Sequence, residues 1–101
     1  MTATAHPGDI LAHELEALGV TPTELARQLH VPPNRITQIV NGQRSVTGDS
    51  ALRLGHWFGN TPEFWMALQA KYDLERAVAE VGQEIDILPT GPTFGSRPAT
   101  A

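Results

Sequence analysis

Proline placement cuts this chain into helices before any other signal is weighed. Pro7, Pro22, Pro33 and Pro62 each stand at the head of a stretch with helical apolar spacing. Proline suits the first turn of a helix and breaks its interior, so none of these stretches can fuse with the one before it. His6-Pro7-Gly8 opens the first helix, where Ile10, Leu11, Leu15 and Leu18 recur on one face and Gly19 stands where a left-handed cap would end it. Asp9, His13 and Glu16 fall on its opposite, solvated face. Thr21-Pro22-Thr23-Glu24 reads as a capping box with proline in the first helical position, and Leu25, Ala26 and Leu29 point inward behind it. His30-Val31-Pro32 separates this second helix from a third start at Pro33, which has Ile36, Ile39 and Val40 as its inner face and Asn41-Gly42 as its stop. Thr47 caps a fourth helix, with Asp49 near its positive end and Ala51, Leu54, Gly55 and Phe58 facing the core before Gly59. Thr61-Pro62 opens the fifth and longest helix, expected to reach about Val81.

The expected fold is therefore all-α, a five-helix bundle with a repressor-like helix-turn-helix and its longest helix C-terminal. Residues 1–6 are expected to be flexible, and 7–82 to form one domain for DNA binding and dimerisation. Residues 83–101 are expected to be a mostly disordered tail, because Leu88 onward is rich in proline, glycine and small polar residues. A short strand at 84–88 is the alternative for the start of that tail.

Two short helices joined by three residues, the second rich in small polar side chains, outline a DNA-binding helix-turn-helix. The helices must cross closely, and Ala26 supplies a small residue at the contact. Ile36, Ile39 and Val40 hold the second of them, which leaves Asn34, Arg35, Thr37, Gln38 and Asn41 outward, with Pro33 at its entry. Arginine can pair with guanine, Gln or Asn with adenine, and threonine can bond while its methyl touches thymine. Thr21 and Thr23 stand at a helix start, where hydroxyl and backbone N–H groups suit phosphate. Gln43, Arg44 and Arg53 are further phosphate candidates. A polar outer face carrying one arginine can also be merely solvated. Here the capping box, the short turn and Ala26 agree with the charge distribution. The whole chain carries a net −4, yet from Leu25 to His56 four arginines face Asp49 alone. From Trp57 to Pro89, Lys71 and Arg76 face six carboxylates. One stretch suits an anion and the other a basic partner.

Beyond these separate signals, the chain resembles a known family. His6-Pro7-Gly8-Asp9-Ile10-Leu11, Thr23-Glu24-Leu25-Ala26, Ile39-Val40-Asn41-Gly42-Gln43-Arg44, Ala51-Leu52-Arg53-Leu54, Thr61-Pro62-Glu63-Phe64-Trp65-Met66-Ala67-Leu68-Gln69 and Tyr72-Asp73-Leu74 look like the HigA-type antitoxins of the Cro/phage-repressor helix-turn-helix class. The helix-turn-helix part is shared with many repressors, whereas the opening His-Pro-Gly and the Pro-Glu-Phe-Trp to Tyr-Asp-Leu stretch are more specific. The resemblance implies a protein that binds a HigB-like ribonuclease toxin and, as a dimer, represses the operon encoding both. Pro32-Pro33 departs from the family, whose members usually place a polar residue there, so base preference at that turn does not carry over.

The longest helix carries two apolar stripes. Phe64, Trp65, Leu68 and Tyr72 form one; Met66, Ala70, Leu74, Ala77 and Val81 form the other, on nearly the opposite side. A domain this small needs one stripe for its core. The second is expected to be a dimer interface, which would set two recognition helices about 34 Å apart over two half-sites. Covering of that stripe by the first helix or by Ile85–Leu88 is the alternative. Glu75, Glu80, Glu84 and Asp86 would rim the dimer with negative charge, facing either a basic toxin or only solvent.

Other function classes find little support. The chain has no cysteine, which removes thiolate chemistry and Cys-ligated metals and fits a cytoplasmic setting. Asp9 and His13 have i, i+4 spacing, but no HExxH pattern supplies a metal site, and no serine sits in a nucleophile-elbow context. No catalytic residue, metal or cofactor is expected. No apolar window is long enough to span a membrane, and the N-terminus lacks the basic and apolar stretches of a secretory signal. A stand-alone phage- or plasmid-type dimeric repressor without a toxin fits the helix-turn-helix equally well.

Overall fold

A computed structural model describes residues 5–95, and the expectations for residues 1–4 and 96–101 lie outside it. The described chain is α1 (Pro7–Leu18), α2 (Pro22–Leu29), α3 (Pro33–Val40), α4 (Gly48–Phe58) and α5 (Pro62–Asp86). Pro7, Pro22, Pro33 and Pro62 each occupy the first turn of a helix. Thr21, Thr47 and Thr61 each accept a backbone N–H three residues on, from Glu24, Ser50 and Phe64. The box at Thr21 is only half made: the Glu24 carboxylate takes Arg27 and Gln28 instead of turning back to the threonine. Helix α3 has no side-chain cap at all, because its N-cap is Pro32.

Leu11, Leu15, Leu25, Ala26, Leu29, Ile36, Ile39, Val46, Ala51, Leu54 and Trp65 make a continuous buried core, with Val31 at its edge. Helix α2 packs across α3 through the fully buried Ala26, and α4 and α5 close the other side. Two inner positions expected on α1 differ: Ile10, about 100° round the helix from the buried Leu11, is half-buried, and Leu18, the last residue of α1, is 56% exposed. His6, expected in a flexible N-terminus, is buried instead. Its Nδ1 accepts the Gly8 N–H at 2.8 Å and its ring stands edge-on to Tyr72 at 4.8 Å, so the packed domain begins at the cap of α1. Gly8 explains how closely α1 lies on α3: a Cβ there would stand 1.8 Å from the Ile39 carbonyl oxygen.

Helix α5 corrects the expected tail boundary and the strand at 84–88. It continues past Val81 to Asp86, and residues 84–86 are helical. Between Val81 and Asp86, Gln83 and Glu84 favour helix strongly enough to carry it past Gly82, and the first proline after them is Pro89. Its inner stripe is Trp65, Leu68, Gln69 and Tyr72; Phe64, expected there, is 43% exposed. Gln69 is the polar member and ties α5 to the loop before α4. Its Oε1 accepts the buried Val46 N–H at 2.7 Å, and its Nε2 donates to Asp73 at 2.9 Å.

Candidate nucleic-acid interface

The turn between α2 and α3 is held by backbone. His30 takes a left-handed conformation, φ 59°, and its N–H and that of Val31 close on the carbonyls of Arg27 and Ala26. This geometry aims α3 away from α2. Ile36 and Ile39 are then buried with Val40 beside them, and at about 100° per residue Asn34, Gln38 and Asn41 fall on the side opposite. Asn34 and Asn41 are exposed, Thr37 and Gln38 half-buried, and Pro33 is exposed at the helix entry. Two successive prolines remove two backbone donors from that entry. The end of α3 therefore offers side chains and no amide cradle.

Arg44, exposed past the Asn41-Gly42 turn, donates from Nε to the Gln38 side-chain oxygen at 2.9 Å. Two predicted DNA contacts are thus joined to each other. With its oxygen taken by Arg44, the Gln38 amide keeps its N–H donors, which match acceptors on a base edge. Thr21 and Thr23 are exposed at the start of α2, with the Thr21 hydroxyl already capping the helix.

Arg35 departs from the expected outward set. It lies on the flank of α3 toward α4, where its Nη1 donates to Asp49 at 2.5 Å. Arg53 donates to the same oxygen at 2.7 Å and to the Leu29 carbonyl at 2.6 Å. Donation first by Arg53 and then by Arg35 holds the Asp49 carboxyl below the usual carboxylate range. Arg27 is equally occupied, by Glu24, whose carboxyl is lowered by bonds from Arg27 and then Gln28. The Asp49–Arg53 pair has the i, i+4 spacing that marks a helical ion pair. The Arg35–Asp49 pair joins separate helices and leaves no such mark.

On α5 the residues expected as a dimer face, Met66, Ala70, Leu74, Ala77 and Val81, are all exposed. The geometry adds Val78 and Ile85, 68% and 55% exposed. Leu74, Val78, Val81 and Ile85 follow one another at alternating four- and three-residue steps, the spacing of a coiled-coil seam. Among the described residues, no group of three or more His, Asp and Glu stands together as a metal site. No described helix is long and apolar enough to cross a membrane.

A buried scaffold helix, a tight turn and a second helix with a polar outer face define the helix-turn-helix class of DNA-binding domains. The sequence pattern of the helix-turn-helix family matches residues 11–65. An addiction module antidote protein of the HigA family from Coxiella burnetii superposes with a TM-score of 0.86 and is 46% identical, covering 90% of this chain and 100% of that one. Antitoxin HigA of Pseudomonas aeruginosa, solved with the higBA promoter, gives a TM-score of 0.83 at 38% identity, over 90% of this chain and 99% of that one. Virulence-associated protein I of Dichelobacter nodosus is 44% identical over 84 residues, 82% of this chain and 77% of the relative. The chain belongs to the helix-turn-helix family and, within it, to the HigA antitoxins.

Proposed function

We propose that this protein is the DNA-binding antitoxin of a type II pair, acting in the cytoplasm as a homodimer that represses its own operon and neutralises a HigB-like ribonuclease toxin. The observation that carries the DNA part is the outward row Asn34, Gln38 and Asn41 on α3, extended by Arg44 through its bond to Gln38. These residues would read base edges in the major groove. Thr21, Thr23 and Gln43 would meet phosphates, and Thr37 and Arg35 would serve at the edges of the contact. The P. aeruginosa relative solved with promoter DNA supports this reading.

The dimer would form through α5. A helix of 25 residues spans about 37 Å, and its second half carries an exposed apolar seam with a carboxylate-rich border. Pairing of two such helices would bury that seam and place two α3 helices over successive half-sites. Membership of the antitoxin family supports a toxin partner, and the acidic α5 surface suits a basic protein.

Selection of bound duplexes from a random DNA pool by the purified protein tests the reading. The expected product is a two-fold symmetric site with halves about 10 bp apart. Recovery of no preferred sequence would contradict the repressor function.

A further inference from the structure

Two of the arginines nearest α3 share one carboxylate oxygen. Arg35 from α3 and Arg53 from α4 both donate to Oδ1 of Asp49, and Arg53 continues to the Leu29 carbonyl at the end of α2. The Arg35 side chain is 29% exposed and that of Asp49 55%, so a negative charge stands in solvent at the border of the α3 outer face. Exposed ion pairs add little to stability, and fold stability is a weak reason for a carboxylate in this place. Its effect on DNA binding is larger. Sequence-independent affinity grows with every cation that reaches a phosphate, and Asp49 holds two of the cations in reach.

We propose that Asp49 is a specificity-determining residue. It withholds Arg35 and Arg53 from indiscriminate phosphate contact, and Arg35 leaves it only for a duplex that offers a better partner, such as the paired acceptors of a guanine edge. The inference rests on the DNA-binding reading above and concerns which duplexes are accepted.

The test compares binding of the full chain to the duplex recovered by selection and to a shuffled duplex of equal length, by fluorescence anisotropy over a range of salt. Asp49→Asn is expected to bind the shuffled duplex on the order of tenfold more tightly at about 0.1 M salt, with a salt slope steeper by about one to two. The recovered duplex gains less, so the ratio between the two falls. Asp49→Ser, which keeps a small polar group in the first turn of α4, is expected to do the same, and the charge-preserving Asp49→Glu to keep the wild-type ratio. Shuffled-duplex binding that is unchanged or weaker in Asp49→Asn overturns the proposal, as does an Asp49→Glu protein that behaves like the neutral variants. Loss of folding in both neutral variants makes the carboxylate a fold element and overturns it too. Failure of the wild type to bind either duplex would sink the DNA-binding reading itself, whereas an unaltered ratio in a normally binding background sinks this inference alone.

Discussion

Replacing Gly8 by alanine should damage both the fold and the recognition helix, because of where the added methyl would go. Its Cβ would stand 1.8 Å from the Ile39 carbonyl oxygen and 2.7 Å from the Ile39 carbonyl carbon. Ordinary contact needs more than 3 Å, so α1 and α3 must separate by over an ångström at that point. Both atoms met are backbone, and no rotamer change relieves the clash. Overpacking of a fixed site costs about 1–3 kcal/mol. Moving the first turn of α1 also endangers the His6 cap on the Gly8 N–H, which is worth about 0.5–2 kcal/mol. Together these predict a loss of roughly 2–4 kcal/mol, or some 10–25 °C in Tm for a domain of this size. Urea denaturation followed by far-ultraviolet circular dichroism measures it directly. A loss below about 1 kcal/mol would refute the close packing of α1 on the end of the recognition helix.

Gln69→Leu replaces the amide with an apolar side chain of similar size, leaves the buried Val46 N–H without its acceptor, and should cost about 1–3 kcal/mol; equal denaturation midpoints would contradict the role given to Gln69. His30→Gly removes the strain of a side chain at φ 59° on an exposed residue and should stabilise by about 0.5–1 kcal/mol, with a lower midpoint counting against it. The lowered carboxyls of Asp49 and Glu24 contribute a small, solvent-screened stability above their ordinary pKa, and that contribution is lost as pH falls through the depressed value. Denaturation midpoints should therefore drop in acid below about pH 4, and less steeply in the double variant Asp49→Asn, Glu24→Gln; identical acid limbs would show that these pairs do not couple to folding.

The helices were legible because their signals are local. Proline at a first turn, threonine before it and apolar residues at three- and four-residue steps act within one segment, and α2, α3 and α4 follow them. Leu18 and Phe64 show the limit: periodicity names a face, but Leu18 stands at the very end of its helix and Phe64 lies about 100° round from the buried Trp65, and both are exposed. The end of α5 is hard to read for a related reason, since the sequence from Gly82 to Asp86 has mixed preferences and its one large apolar residue, Ile85, is 55% exposed. Asn34, Gln38 and Asn41 fall opposite the buried side of α3, as expected, because direction follows from helical rotation. The pairing of Arg35 was not legible, because it depends on Asp49, 14 residues away and on another helix. Gln69 was visible only as part of a family-like stretch, because a buried polar side chain shows its purpose once the backbone group it satisfies is in place.

The central claim is that the outer face of α3 reads DNA, once in each half of a dimer. The most direct measurement is duplex selection run in parallel with the wild-type chain and with Gln38→Ala and Asn34→Ala. Each variant is predicted to lose preference at one base position, and at the symmetry-related position of the other half-site, while the rest of the site and its spacing stay unchanged. Identical selected sites for all three proteins would contradict the assignment of α3 as the reading helix.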